Sequence, residues 1–264
     1  MKQFILLVLA IVVSVNIQAQ KLPNKQEVSS KAPANVKIDG KITEWGDFKA
    51  YNSATGLFYT LANDEQNLYL IIQAGNRQAM NKIFAGGISL FLINATNADK
   101  NARGIITYLA FPKSNRLAIV EMFKDTANMN FKAINTAMAA SLKTIGVKNL
   151  NDISEEVVSV YNGYGIMAAS YLTDRNTYTC EIAIPLKNLK SFINSKSVIN
   201  YTLQANAESL NSMKVVVNGK EVDNATADPR VMEMMNKIYQ SEDGASLREA
   251  MSDTNVSGQY TLAK

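Results

Sequence analysis

The side chains able to perform chemistry are few, because the chain has no histidine and only one cysteine. Without histidine, Ser-His-Asp and Cys-His catalysis are excluded, and so are the metal and haem sites that need histidine ligands. An enzyme would have to use carboxylate, lysine or tyrosine chemistry. The adjacent pair Glu155-Glu156 suggests acid/base work, but such pairs are typical of solvated turns. We therefore assign no catalytic residue, expect no cofactor and predict that the protein is not an enzyme.

The single cysteine, Cys180, lies in the alternating segment Tyr178–Ile184. Alternation places it on one face of a strand with Ile182 and Ile184. A cysteine in such surroundings behaves as a small apolar side chain. We expect a buried, unreactive thiol.

Asp39 and Glu44 are candidate oxygen ligands for calcium near the only tryptophan, Trp45. Two carboxylates are too few to define a calcium site, which takes six to eight oxygen ligands. The sequence leaves metal binding undetermined, and a charged turn is the simpler interpretation.

The N-terminal residues predict secretion. Lys2 precedes an apolar run, Phe4–Val15, and Ala19 supplies a small residue at a cleavage site before Gln20. We interpret residues 1–19 as a cleaved signal peptide and expect a periplasmic or extracellular protein. No cysteine follows the run to carry a lipid anchor, and no later segment predicts a membrane span. The net charge of +4 is too small and scattered to indicate nucleic-acid binding.

Short apolar segments separated by turn residues predict an antiparallel β-sandwich. After an extended lead-in, residues 20–34, the alternation of Val36 and Ile38 predicts a strand that turns at Asp39-Gly40. Helices do not alternate with strands, so a doubly wound sheet is disfavoured, and residues 35–264 are interpreted as one domain. Asn63–Asn67 predicts the turn of a hairpin, and Asn218-Gly219 predicts a hairpin turn into Glu221-Val222. The further predicted strands are Leu57–Leu61, Leu68–Ala74, Ile88–Ile93, Ile105–Phe111, Leu117–Phe123, Val157–Tyr161, Ile166–Leu172, Tyr178–Ile184, Tyr201–Ala207, Met213–Val217 and Gln259–Leu262.

Helices are expected as insertions into the sandwich. Ile134, Met138, Leu142 and Ile145 recur at helical spacing, which predicts a helix over Asn130–Ile145, capped by Gly146, in an insertion at about 125–160. Asp228-Pro229 predicts the start of another helix, whose apolar face is Val231, Met234, Met235 and Ile238. Ser246–Met251 is a further short helix candidate. Arg77–Ala85 fits no single pattern.

An ordered series of short motifs resembles a known family. Ile38-Asp39-Gly40 and Glu44-Trp45 are followed by Asn63-Asp64-Glu65, and Glu181-Ile182-Ala183-Ile184-Pro185 comes later. The series resembles the family 9 carbohydrate-binding-module-like fold, within the DOMON-like group, and is most similar to secreted members from Bacteroidetes-type bacteria. The resemblance implies a β-sandwich in which two tryptophans hold a sugar and polar side chains bind its hydroxyl groups.

The resemblance also implies which residues would bind a ligand. Gln204 and Asn206 match the family's polar pair on a late strand, and Phe84 falls near the position of one sugar-binding tryptophan. The second tryptophan position falls near Met251, and an acidic position appears as Ser89. Trp45 belongs to the structural motif, and Ile42 and Phe48 beside it favour a place in the core.

We therefore predict a secreted, non-catalytic binding module with a glycan ligand, bound by Gln204, Asn206 and Phe84. The alternative is a structural or protein-interaction domain that has lost the sugar site, with an undefined protein partner. A hydrolase that uses a carboxylate pair ranks last, because no such pair is convincingly placed.

Overall fold

The computed structural model describes residues 21–97, 99–108, 129–207 and 252–264, and between them residues 111, 122, 215–217, 220–222, 229, 233, 236–237 and 240–241. Three sequence predictions lie outside these residues: the signal peptide, the apolar face of the helix after Asp228, and the helix at Ser246–Met251. Of the strand predicted at Leu117–Phe123 only Met122 is described, and it is helical, against the prediction.

Two antiparallel sheets form most of the described chain. The first consists of β1 (Ala50–Asn52), β2 (Leu57–Asn63), β3 (Asn67–Ala74), β8 (Met167–Leu172) and β9 (Tyr178–Pro185). Across this five-stranded sheet the order is β1-β2-β3-β9-β8. The hairpin of β2 and β3 confirms the turn predicted at residues 63–67, where the Asp64 carboxylate accepts hydrogen bonds from the Gln66 and Asn67 amides.

The second sheet consists of β4 (Ile88–Ile93), β5 (Gly104–Tyr108), β6 (Thr144–Lys148), β7 (Val157–Ser159), β10 (Val198–Ala205) and β13 (Thr254–Thr261). Across this six-stranded sheet the order is β13-β10-β4-β5-β6-β7. A separate pair, β11 (Val215–Val217) and β12 (Lys220–Val222), confirms the hairpin predicted around residues 218–219.

One apolar core lies between the two large sheets. Alternate residues of each strand point inward, as the period of two along a strand requires. The predicted antiparallel β-sandwich is confirmed to that extent, and Cys180 is fully buried in it, as expected. Burial raises the pKa of its thiol, which therefore stays protonated. Inward-facing side chains include Leu57, Tyr59, Leu61, Leu70, Ile72, Ile88, Leu90, Ile106, Ile145, Cys180, Ile182, Ile199, Tyr201 and Leu203.

The ambiguous segment after β3 is a helix, α1 (Arg77–Gly86). It begins at Asn76, whose side chain accepts a hydrogen bond from the Ala79 amide, and it ends where the Gly87 amide donates to the Ile83 carbonyl. Its apolar side faces the core. None of the described helices is long and apolar enough to cross a membrane.

The predicted helix of the insertion is shorter than expected. It is α2 (Phe131–Ser141), and the predicted C-cap, Gly146, lies instead within β6. The helical spacing of Ile134, Met138 and Leu142 continues by coincidence into Ile145, which alternates with Val147 into the core of the sandwich. The insertion predicted at about 125–160 thus contains one helix and two strands, β6 and β7, which extend the six-stranded sheet.

Side-chain amides pair with the backbone of one residue towards each edge of the five-stranded sheet. At β2, Gln26 Nε2 donates to the Leu61 carbonyl (2.8 Å) and the Leu61 amide donates to Gln26 Oε1 (2.7 Å). At β8, Asn135 of α2 makes the same pair of bonds to Leu172 (2.8 and 2.7 Å). Each amide takes the place of a peptide group in a neighbouring strand, so the lead-in that carries Gln26 belongs to the fold.

Candidate ligand-binding face

The outer face of the five-stranded sheet is covered by the chain before β1. Apolar side chains of residues 36–48 pack on the outward-facing Tyr69, Ile71 and Ala183, and the Trp45 ring lies 5.3 Å from that of Tyr69. Trp45 is half-buried in this second, outer cluster rather than in the core between the sheets. The strand predicted at Val36 and Ile38 is wrong, because this segment lies across the sheet face and joins no ladder.

A single carboxylate fixes this covering segment. Glu181 of β9 points outward and is fully buried. Its Oε2 accepts hydrogen bonds from the Asp39 amide (3.0 Å) and the Gly40 amide (2.7 Å), and its Oε1 accepts one from the Trp45 ring nitrogen (2.6 Å). Burial raises the pKa of Glu181 to about 7, against the three N–H donors, which favour the charged form.

The turn at Gly40 requires glycine. Its φ is +83°, and a Cβ there would lie 2.4 Å from the Ser170 carbonyl carbon of β8. Asp39 and Glu44 accept hydrogen bonds from the backbone amides of Lys41 and Lys37 within the same segment. Among the described residues no three acidic or cysteine side chains come close enough to hold a metal ion. The motif around Trp45 therefore closes one face of the fold.

The outer face of the six-stranded sheet has a different composition. Its outward positions on β13, β10, β4 and β5 alternate with the buried core residues and carry no charge. They are chiefly amides and hydroxyl groups, with four half-buried apolar side chains, Phe91, Ile93, Ile105 and Val198. The other outward residues are Asn255, Ser257, Gln259, Thr261, Asn200, Thr202, Gln204, Ser89 and Thr107.

Gln204 and Asn206, the predicted polar pair, lie together on this face. Gln204 Nε2 donates to Asn206 Oδ1 (3.0 Å), and Asn206 Nδ2 donates to the Gly86 carbonyl (2.9 Å) and to Ser89 Oγ (3.0 Å). Gly86 is needed for this approach, because a Cβ there would lie 2.1 Å from the Asn206 carbonyl oxygen. The end of α1 and the end of β10 are thereby held together.

Phe84 does not join the two amides. It is 2% exposed and packs edge-to-face against Phe111 and Tyr178 in the core, because α1 turns its apolar side inward. The ring on the polar face belongs to Phe91, which sequence reasoning missed. Ser89, a polar residue in an otherwise apolar strand, was the available signal, since Phe91 two residues later must share its face.

A cleft of about 580 Å³ opens along the end of this face, within the usual size of ligand pockets, roughly 300–1,000 Å³. Asn200, Ser257, Gln259 and Ile93 line it on the sheet, and residues 25–27 of the lead-in form its wall. From Asn200 to Gln204 the polar face extends about 13 Å along β10. That length accommodates a short oligosaccharide.

Glu155, the candidate for acid/base chemistry, lies in the exposed connection between β6 and β7. Its carboxylate accepts a hydrogen bond from the Tyr164 hydroxyl (2.6 Å), which lowers the pKa of Glu155. A carboxylate held in the charged form suits a solvated turn rather than a general acid.

No protein-family model matches the chain, and no curated protein matches it. The resemblance to the family 9 carbohydrate-binding-module-like fold therefore rests on the residue pattern, and what is shown of it is two packed antiparallel sheets.

Proposed function

We propose that the protein is a secreted, non-catalytic binding module that takes a neutral oligosaccharide on the outer face of its six-stranded sheet. The observation that carries the proposal is the composition of that face on β13, β10, β4 and β5: its outward side chains are chiefly uncharged amides and hydroxyl groups, and the half-buried Phe91 lies between Thr202 and Ile105 of the neighbouring strands. Sugars need this combination, since an aromatic ring packs on their C–H faces and directional polar groups bind their hydroxyls.

Two further observations support the proposal. The cleft adjoins the same face; its sheet residues, Asn200, Ser257 and Gln259, are again uncharged, while Lys25 and Glu27 of the lead-in, of opposite charge, form part of its wall. The motif series that resembles the family 9 modules runs through this fold in order, and secretion would follow from the signal peptide expected at residues 1–19. In this proposal Gln204 contacts the ligand directly, and Asn206 supports it.

The experiment is a glycan array with the chain from Gln20 onward, followed by calorimetry with each oligosaccharide that binds. We expect Gln259→Ala and Asn200→Ala to weaken binding about tenfold, the effect of one lost hydrogen bond of roughly 1.4 kcal/mol. Gln66→Ala is the matched control, because Gln66 is an exposed amide on the β2–β3 turn. Absence of binding to all plant and envelope glycans would refute the proposal.

A protein-interaction domain is the second candidate, and exposed apolar side chains favour it. Val157 of β7, Met167 of β8 and Tyr161 between them are 54%, 42% and 80% exposed. Val157 and Met167 lie on the last strand of the six-stranded and of the five-stranded sheet, and Tyr161 lies in the turn that joins these two strands. In this case the array would show no binding, and sedimentation would show association that Tyr161→Ser and Met167→Ser weaken.

A further inference from the structure

A chain of hydrogen bonds crosses the polar face from α1 to β5. It runs from the Gly86 carbonyl through the Asn206 side chain to Ser89 and then to Thr107, with Ser89 Oγ and Thr107 Oγ1 2.8 Å apart. Gln204 joins it through Asn206. Each group in the chain is either a donor or an acceptor at a given contact, so the direction of one bond constrains the next.

The Gly86 carbonyl sets the direction, because a carbonyl oxygen can only accept. The atom of Asn206 that faces it must therefore be Nδ2, whose two hydrogens go to Gly86 and Ser89. Asn206 Oδ1 is then left to face Gln204. Since an amide oxygen can only accept, Gln204 must present Nε2 to it. Gln204 is half-buried on the outer face, and its other side-chain atom, Oε1, has no hydrogen-bond partner among the described residues, so it remains as an acceptor.

On the other side of Asn206, Ser89 already accepts a hydrogen bond. Ser89 is 4% exposed, and Thr107 Oγ1 is the only acceptor described for its hydroxyl hydrogen. A buried hydroxyl hydrogen without an acceptor is costly, so Ser89 donates to Thr107 rather than the reverse. The hydroxyl hydrogen of the half-buried Thr107 then has no acceptor among the described residues and remains as a donor.

We infer that this network fixes the polarity of the ligand. Gln204 offers an acceptor over β10 and Thr107 a donor over β5, and two strand spacings, about 10 Å, separate them. The ligand must carry a hydrogen-bond donor at the first position and an acceptor at the second. A hydroxyl or N-acetyl group fits Gln204 Oε1, and a carboxylate or phosphate does not. This inference rests on the proposed function, with Asn206 and Ser89 as positioning residues.

The polarity is first tested on the ligand-free protein by NMR. We expect both side-chain amide hydrogens of Asn206 to exchange slowly with solvent, but only one of Gln204. The hydroxyl hydrogen of Ser89 should be observable and close to Thr107. Fast exchange of either Asn206 hydrogen, or a protected Thr107 hydroxyl that points at Ser89, would overturn the inference whether or not a glycan binds.

The second arm uses cello-, xylo-, manno- and chitotetraose, together with analogues in which one hydroxyl is replaced by fluorine, which cannot donate. For a tetraose that binds, one fluorine position should weaken binding at least about fivefold in the wild type but not in Gln204→Ala. Thr107→Val should weaken binding of the parent tetraose, but the fluorine analogue should still bind more weakly than its parent. If every fluorine analogue binds like its parent, Gln204 does not accept from the ligand. If no tetraose binds, the proposed function fails while the NMR result on polarity stands.

Discussion

The two outer faces of the sandwich differ in composition and in what covers them. The five-stranded sheet carries apolar outward residues, and residues 36–48 cover them, held by the buried carboxylate of Glu181. The six-stranded sheet carries amides, hydroxyl groups and one aromatic ring, and no described segment packs over its centre as residues 36–48 do on the first sheet. One face is built to be closed and the other to hold polar contacts.

The residues of the motif series are divided between the two faces, and those around Trp45 have a structural role. Trp45, the obvious aromatic candidate, is committed to the closed face by its bond to Glu181. The outward positions of β13, β10, β4 and β5 carry no charged residue, although charged residues usually make up roughly a quarter to a third of a soluble surface, and the neighbouring β6 carries the exposed Lys148 opposite Ile105. These directional, uncharged groups are the basis of the proposal that this face takes a ligand.

Removing the carboxylate that holds residues 36–48 on the five-stranded sheet should have the largest effect on stability. Glu181→Ala leaves three N–H donors unsatisfied under residues 36–48, and each such group costs about 1–3 kcal/mol. We expect the free energy of unfolding in urea to fall by about 3 kcal/mol or more. Glu65→Ala, which removes an exposed carboxylate on the β2–β3 turn, should change it by less than about 0.5 kcal/mol. Equal losses in the two variants would contradict the role given to Glu181.

The same carboxylate should make stability depend on pH. Because burial raises the pKa of Glu181 from 4.5 to about 7, the folded state holds a proton that the unfolded chain has released. The contribution of Glu181 is fully present below pH 4.5 and is lost as the pH rises through about 7. Between pH 5 and pH 8 the wild type should therefore lose stability relative to Glu181→Gln, measured by urea unfolding at each pH. A constant difference would show that the carboxylate does not titrate in this range.

A pair of aromatic substitutions contrasts the two faces directly, with smaller effects on stability. Phe58 lies on the outer face of β2, 4.4 Å from the Tyr51 ring and 5.8 Å from that of Phe48. We expect Phe58→Ala to lower stability by about 2 kcal/mol and to leave oligosaccharide binding unchanged. Phe91→Ala should lower stability by less than about 1.5 kcal/mol but weaken binding at least tenfold, since it removes the ring of the site. The reverse pattern would place the ligand on the other face.

Local signals in the sequence predicted local structure well. The β2–β3 hairpin followed from the polar turn at Asp64, and the burial of Cys180 followed from alternation. Gly146 was wrongly predicted to end the helix. The four apolar residues at helical spacing fit one long helix, but they fit a shorter helix followed by a strand equally well. Only pairing of β6 with β5, from residues about 40 apart, decides between them.

The site was only partly predictable for the same reason. The motifs predicted Gln204 and Asn206 as a polar pair, and the two amides do lie together, because they are only two residues apart at the end of β10; their role in binding stays a prediction. The place of Phe84 depends on which way α1 turns, and that is set by packing against distant strands. The contact between Glu181 and Gly40 spans 141 residues, so no spacing rule could have joined them.

The amides of Gln26 and Asn135 have a consequence for the behaviour of the protein at high concentration. An exposed sheet edge recruits strands from other copies, and the resulting stacks are the basis of fibrils. At Leu61 and Leu172 the two amides occupy the peptide groups that such a recruited strand would need. At these two positions, neutral side chains thus block pairing with a strand of another copy, and they do so without adding charge to the surface.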